Sequence, residues 1–458
     1  MSEASFLKTI KAFRSLGSGD LKRLASHCRP VRFAASEKIV RLGEPGDALF
    51  IIREGRAAAP ILDEQGQEKL LARLGPGDIF GEMALLTGEP RTADVIAETE
   101  IVCLKLQKEP LHQLMREHTA VASFLTTILG QRLLEGGNIR SVGRYRIVGE
   151  LGSGGMAMVF EGRHQLLGST VAIKMLSHQL VYDQEFSVRF KEESRIMAGL
   201  RHDNIVKVID FEEAYATFFI IMEKINGTDL HSMIRARGVI PIDEVRSIVL
   251  QLALALDYAH SRGIIHRDVK PGNVIIEPNG RVKLMDFGIA KTRAEAAQES
   301  EDVLGTPEYM SPEHSQGVPL DGRTDIYSLG ILTYEMLVGR PPFHSADCLE
   351  TFRAHEEDQV PPPRLSNPKI PADLDEVVRV ALQKNPEDRF QHAREIATLL
   401  GGAKPEHLEL ARARTRTLSL FYDGRQEDLV DAFLKKVRDE AGQLPGVRLS
   451  LPESGQVE

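Results

Sequence analysis

The sequence predicts a multidomain chain: an N-terminal β jelly-roll with flanking helices, then an α+β region, then a small α/β tail. Three observations carry that reading. Short strand-like segments, parted by turns rich in Gly, Pro and Asp, crowd residues 20–108. From Arg144 strands run to about residue 223, and long helical patterns then dominate to about residue 400. Past Gly401-Gly402 there remain one strand-like run, TLSLFY (417–422), and one amphipathic helical pattern. Many short strands at close spacing point to a sandwich or jelly roll.

The first block reads VRFAA, KIVRLG, ALFIIREGRAAAPIL, KLLARLGPGDIF, TADVIAE and EIVCLKL, with helices expected over 5–26 and 109–135. In the second helix Leu111, Leu114, Met115, Val121, Phe124, Leu125, Ile128 and Leu129 recur at roughly helical spacing. Gly136-Gly137-Asn138 is a stop signal. The expected division is 1–135, a linker over 136–143, 144–402, and a tail over 403–458. In the tail Leu429, Val430, Phe433, Leu434 and Val437 line one helical face. Glu427 and Asp428 sit in its first turn, Lys435, Lys436 and Arg438 later, and Gly442 past its end, which suits the helix dipole and a C-cap.

Composition excludes several classes. The 458 residues suggest about three domains at roughly 150 residues each. With 42% hydrophobic and 27% charged residues the chain is ordinary globular material. Lys plus Arg is 57 against 66 for Asp plus Glu, Trp is absent and Tyr numbers 8. That argues against nucleic acid as a partner, in both charge and stacking surface. Cys28, Cys103 and Cys348 are far apart, odd in number and lack C-x-x-C spacing, which fits a reducing compartment and neither a disulfide scaffold nor a thiolate zinc site. The N-terminal MSEASFLKTIKAF has no apolar core of a signal peptide. The most apolar run, IVLQLALALDYAH (248–260), is too short to span a bilayer. A soluble, cytoplasmic chain with no membrane partner is expected.

The second region carries the residues of phosphoryl transfer. GELGSGGMAMV (149–159) places glycines in a turn between strands, where backbone amides can approach phosphate oxygens with no Cβ in the way. VAIK (171–174) ends a strand in Lys174, a cation for phosphate that needs a carboxylate to hold it. EFSVRFKEESRIMAGL (185–200) reads as a helix and offers Glu192 and Glu193; Glu193 is favoured by its place before SRIM. IIHRDVKPGNVII (264–276) reads as two apolar strands around a polar loop holding His266, Arg267, Asp268, Lys270 and Asn273. A carboxylate there can orient a hydroxyl and take its proton. LMDFGIA (284–290) adds Asp286, and with the Asn273 amide oxygen it makes a pair of hard donors suited to Mg²⁺.

These fragments, in this order, make residues 144–400 resemble a eukaryotic-type Ser/Thr protein kinase domain of bacterial style. The resemblance implies an α+β bilobal fold, ATP as phosphate donor, and Mg²⁺, with Mn²⁺ an alternative. It implies that Gly152 and Gly154 cover the phosphates, that Val159 and Ala172 roof the adenine, and that Lys174 pairs with Glu193. Ala157 stands where the family's third glycine does. Met222 takes the gatekeeper position, and the Glu223 and Ile225 backbone meets adenine. Asp268 becomes the catalytic base, Lys270 a neutraliser of phosphoryl charge, and Asn273 and Asp286 the metal ligands. GTPEYMSPE (305–313) resembles the substrate-docking element, whose Glu313 would pair with Arg389 of NPEDRF. Lys270 and Thr306 point to Ser/Thr specificity, and Ser300 and Thr306 are candidate activation-segment phosphosites. Every catalytic position holds a competent residue, which argues against a pseudokinase.

The run PGDIFGEMALLTGEPRTADVIAETE (76–100) suits a cyclic phosphate joined to a ribose. Arg91 offers charge-assisted bonds to phosphate, and Glu82 can accept from a ribose hydroxyl. The arrangement is similar to the phosphate cassette of cyclic-nucleotide-binding domains over about 5–135. That resemblance implies that Gly81, Glu82, Met83, Ala84, Arg91 and Thr92 bind cAMP or cGMP, and that the helix at 119–135 is the lid and moving part. The chain would then be a kinase regulated by a cyclic nucleotide, acting on protein substrates, with a homodimer allowed. Two other readings stay open: a constitutive kinase whose N-terminal domain is an interaction module, and a pseudokinase scaffold with a live sensor. The tail run ARARTRTLSL sets Thr417 and Ser419 three residues after Arg414 and Arg416, a basophilic substrate-like segment that could dock at the active site.

Overall fold

Eight short strands fill residues 29–107: β1 (Arg29–Phe33), β2 (Lys38–Val40), β3 (Ala48–Glu54), β4 (Ala57–Leu62), β5 (Glu68–Leu74), β6 (Ile79–Phe80), β7 (Val95–Ala97) and β8 (Ile101–Gln107). They form two four-stranded sheets, ordered β1-β8-β3-β6 and β2-β7-β4-β5, with every pairing antiparallel. Both sheets contribute to one apolar core, with Val40, Phe50, Ile52, Phe80, Val95, Ile101 and Cys103 buried in it. Phe50 and Phe80 stack with centroids 5.2 Å apart. This is the two-sheet sandwich expected from the strand spacing.

The computed structural model describes residues 2–10, 13, 16–62, 68–87, 90–117, 119–135, 141–154, 157–181, 190–191, 194, 196–287, 307–345 and 347–401. The tail over 403–458, with its expected strand and helix, lies outside them. Among the described residues no helix is long and apolar enough to cross a membrane.

Each expected flanking helix is two. The first divides into α1 (Glu3–Thr9) and α2 (Ser18–His27), because Gly17 is extended at the start of the second. A short α3 (Glu82–Thr87) lies between β6 and β7, and α4 (Lys108–Glu117) precedes α5 (Thr119–Glu135). Helix α5 is apolar around its circumference, a pattern that demands cover on more than one side. Its Val121, Ala122, Leu125, Ile128, Leu129 and Leu133 share one core with Leu49, Leu104 and Leu106 of the sandwich, and with the sheet that follows.

That sheet has six antiparallel strands, ordered β13-β14-β12-β11-β10-β9. They are β9 (Ser141–Val142), β10 (Tyr145–Gly154), β11 (Ala157–His164), β12 (Thr170–Leu176), β13 (Val208–Ala214) and β14 (Thr217–Glu223). The expected 136–143 linker is thus shorter than its sequence suggests. Gly143, at φ +52°, turns the chain so that Val142 pairs with Tyr145 and is buried. Residues 142, 145, 147, 160, 173, 219 and 221 complete the core under α5.

The remainder is helical around a second core. Helices Ile242–His260 and Gly322–Val338 lie at its centre, with Leu230–Arg237, Cys348–Glu357, Ala372–Ala381 and Ala393–Leu399 around them. A three-stranded sheet of β15 (Thr228–Asp229), β16 (Val274–Ile276) and β17 (Val282–Leu284) borders it. Ile264 and Ile265, expected as a strand, are irregular, because the Ile264 N–H bonds back to Ala259 at the end of helix Ile242–His260.

Candidate active site and nucleotide cassette

The polar loop between Ile264 and β16 is held from beneath by one buried acid. Asp325 has no exposed side-chain surface, and it accepts from the His266 N–H at 2.7 Å, the Arg267 N–H at 2.8 Å and His260 Nε2 at 2.7 Å. Burial alone would raise its carboxyl pKa; His260, with the N–H of His266, instead holds it below the usual range. The loop is bent where it is gripped: Arg267 has φ +65°, a left-handed conformation that only a well-supported non-glycine residue keeps. His266 is fully buried, its pKa lowered by desolvation. Its Nε2 meets the Met285 carbonyl at 2.9 Å and its Nδ1 accepts from the Asp268 N–H at 3.2 Å, the pattern of a neutral ring.

On that platform Asp268, Lys270 and Asn273 converge. Lys270 Nζ is 3.0 Å from Asp268 Oδ2, and Asn273 Nδ2 donates to the Asp268 carbonyl at 2.8 Å and to Oδ2 at 2.9 Å. Asp286 follows β17 and also has a left-handed φ, +60°. Across from it, Lys174 near the end of β12 places Nζ 2.8 Å from Asp286 Oδ1. Asn273 uses its amide nitrogen on Asp268, so its remaining polar atom is an oxygen, the donor a hard cation takes. Asp286 supplies another. Glu192 and Glu193 lie outside the described residues.

The sheet arranges the other expected contacts in register. Gly152 faces Val159, Val159 faces Lys174, and Ala172 faces Met222 across three neighbouring strand pairs. Gly154 closes the β10–β11 pairing opposite Ala157. Met222 is buried and Ile225 half-buried. The Glu223 carboxylate takes Lys283 Nζ at 2.7 Å and the Lys207 N–H at 2.8 Å, which fixes the strand end.

Glu313 and Arg389 meet as expected, in a two-pronged pair at 2.7 and 2.8 Å. The guanidinium is buried over the Tyr327 ring, and Thr324 donates to Glu313 at 2.9 Å. Burial pushes the Glu313 carboxyl up, and Arg389 overrides it to leave the pKa low. Beside them, Tyr309 donates to Glu335 at 2.5 Å. Ser300 and Thr306 lie outside the described residues.

In the N-terminal sandwich Arg91 and Glu82 are both buried and close in space. Arg91 donates to the Gly81 carbonyl at 2.5 Å and the Ala48 carbonyl at 2.6 Å. Burial lowers its pKa, while Asp47, Glu82 and Glu44 oppose that. Gly81 has φ +78°, which favours glycine, and a Cβ there would stand 2.6 Å from Arg91 Nη1 and displace the guanidinium. Met83 and Ala84 are buried, and Thr92 is exposed. Glu82 accepts from Arg132 Nε of α5 at 2.8 Å, and Arg132 also donates to the Ile79 carbonyl at 2.8 Å.

Sequence reasoning missed Asp325, His260 and Arg132. Asp325 had a visible signal, a carboxylate opening the apolar run DIYSLGILTYEML. Arg132 had none beyond a lone cation on an otherwise apolar helix.

Comparison with known proteins recognises two domains in the chain. The protein kinase domain model matches residues 145–398, and the cyclic nucleotide-binding domain model matches 30–118. A probable serine/threonine-protein kinase of Clostridium acetobutylicum is 36% identical over 276 residues, covering 60% of this chain and 42% of the relative. Serine/threonine-protein kinase PknB of Mycobacterium leprae is 39% identical over 259 residues, covering 55% and 42%. Serine/threonine-protein kinase Pkn1 of Myxococcus xanthus is 37% identical over 280 residues, covering 60% and 40%. The chain spans about 40% of the length of these relatives. With the model matching more than half of its residues, the chain belongs to the protein kinase family, and a cyclic nucleotide-binding domain precedes its kinase domain.

Proposed function

We propose that this chain transfers the ATP γ-phosphate to serine and threonine hydroxyls of proteins, under the control of cAMP or cGMP bound in its N-terminal domain. The carrying observation is the convergence of Asp268, Lys270 and Asn273 opposite the Lys174–Asp286 pair. Asp268 accepts the proton of the substrate hydroxyl, and Lys270 stands beside it to offset charge on the phosphoryl group in transit. Lys174, with Glu193 as its intended partner, orients the α- and β-phosphates beneath Gly152 and Gly154. Val159 and Ala172 cover the adenine, and Met222, Glu223 and Ile225 border it. Asn273 and Asp286 would hold Mg²⁺, whose charge offsets that of the β- and γ-phosphates. Glu313 and Arg389 brace the docking element, and Arg267, directly before Asp268, is the cation that would take an anion from phosphorylated Ser300 or Thr306.

In the sandwich, Arg91 addresses the cyclic phosphate and Glu82 the ribose hydroxyl, with Gly81, Met83, Ala84 and Thr92 around them. We set the functional division at 1–135, a linker that begins at 136, a kinase domain up to 402 that takes in Ser141–Val142, and a tail over 403–458. Three free cysteines suit a reducing cytoplasm.

The test is a calorimetric titration of the full chain with cAMP and with cGMP, repeated on Arg91→Ala. Binding by the natural chain that Arg91→Ala abolishes supports the sensor. No heat with either nucleotide, from a chain that still transfers phosphate, leaves a constitutive kinase with an N-terminal interaction module.

A further inference from the structure

Two polar side chains of helix α5, Arg132 and Thr126, reach different domains. Arg132 binds Glu82 and the Ile79 carbonyl in the cassette. Thr126 reaches the kinase sheet: its Oγ1 accepts from the His178 N–H at 3.0 Å and lies 3.0 Å from His178 Nδ1. Positions 126 and 132 are about 120° apart around a helix that turns ~100° per residue, so they face different neighbours. Gly130 brings the helix close to the sheet. A Cβ there would stand 2.1 Å from Met158 Sδ and 3.6 Å from Met175 Cε.

His178 sits just beyond β12, the strand that carries Lys174, and opens the short helix α6 (His178–Val181). It is fully buried. Its Nε2 meets the Tyr215 carbonyl at 3.0 Å, in the β13–β14 turn, where Tyr215 and Ala216 have φ +54° and +52°. The neighbouring Thr217 hydroxyl donates to the Leu176 carbonyl at 2.7 Å. The end of the Lys174 strand is therefore tied to that hairpin and, through His178, to α5.

We propose that His178 is a positioning residue for ATP, held in place by Thr126, and that α5 transmits the state of the Glu82–Arg132 pair to the Lys174 strand. Its link to a ligand rests on the nucleotide reading above: a ribose hydroxyl that donates to Glu82 meets the carboxylate that Arg132 now holds. The contacts between α5 and His178 stand without it.

The experiment is a double-mutant cycle on the full chain: natural, Arg132→Gln, Thr126→Val, both together, and Thr126→Ser as the variant that keeps the hydroxyl. Each is read for KM of ATP and kcat on a generic basic protein, for melting, and for cAMP and cGMP binding by calorimetry. A merely structural loss lowers kcat with the folded fraction and leaves KM alone. The expected result is a shift in KM for ATP of about five-fold or more on Arg132→Gln, largely lost when combined with Thr126→Val and kept with Thr126→Ser. Additive effects, or no KM shift from folded Arg132→Gln, overturn the proposal. If Thr126→Val melts too low for rates, hydrogen exchange decides. Faster exchange at 177–181 in Arg132→Gln supports the coupling, and unchanged exchange overturns it. A non-additive cycle without nucleotide heat keeps this coupling and removes the nucleotide reading. Heat with an additive cycle does the reverse.

Discussion

Lys174 Nζ and Asp286 Oδ1 stand 2.8 Å apart and join strand β12 to the segment after β17, an ion pair that links the two halves of the kinase domain as Glu223 and Lys283 do at 2.7 Å. Both partners are largely buried, with 19% and 22% of their side-chain surface exposed, so the cost of desolvating the two charges offsets much of their attraction. Under the proposed function, its value lies in placing a cation and a hard anion together for the phosphates and the metal.

Lys174→Met is therefore expected to lower kcat by on the order of 10²–10³-fold, the usual loss for one preorganised charge partner. Melting should move little. A large drop in melting temperature would show that the pair is structural.

Asp268→Asn keeps the shape of the loop and removes the proton acceptor. Transfer should fall by about 10²–10⁴-fold with KM for ATP nearly unchanged. Rates measured at saturating ATP and metal check this.

Asp325→Ala leaves His260 and two backbone N–H groups facing an empty buried pocket. Breaking such a buried charge network costs about 3–5 kcal/mol, so chemical denaturation should show a loss of that size along with loss of transfer. A loss below about 1 kcal/mol would contradict the role assigned to it.

These residues differ in how legible they were. Lys174, Asp268, Lys270, Asn273 and Asp286 sit in short contiguous runs whose order carries the chemistry. Glu313 and Arg389 were readable for the same reason, although they lie 76 positions apart. Asp325 meets the His266 N–H across 59 positions, and Arg132 meets Glu82 across 50. Such partners arise only when separate elements fold onto one core, and no local pattern encodes the distance. The strands of both domains were visible through apolar runs and turn residues. The strand character of Ser141–Val142 was hidden, because a two-residue strand leaves no periodicity. The shared core under α5 was hidden too: its apolar positions show helical spacing, which does not tell that two domains cover it.

Buried histidines, His178 and His355 among them, make stability acid-sensitive. Burial lowers the pKa of His178 and of His355 from 6.5 to about 4, so the folded chain resists a proton that the unfolded chain accepts. Unfolding then takes up protons between those values. Stability is fully present above pH 6.5 and falls as pH drops toward 4, by up to about 1.4 kcal/mol per unit for each histidine. Denaturation at pH 7, 6 and 5 checks the slope, and His178→Asn should flatten it. A flat profile in the natural chain would contradict the buried neutral state.

The central claim is phosphate transfer by the Asp268 constellation under nucleotide control. It is tested most directly by incubating the full chain with γ-labelled ATP, Mg²⁺ and a generic basic protein, with and without cAMP or cGMP, beside Asp268→Asn. The account predicts label on serine or threonine from the natural chain, a rate changed by one nucleotide, and label reduced by about 10²–10⁴-fold from Asp268→Asn. Label that is absent from the natural chain, or equal in Asp268→Asn, would contradict it.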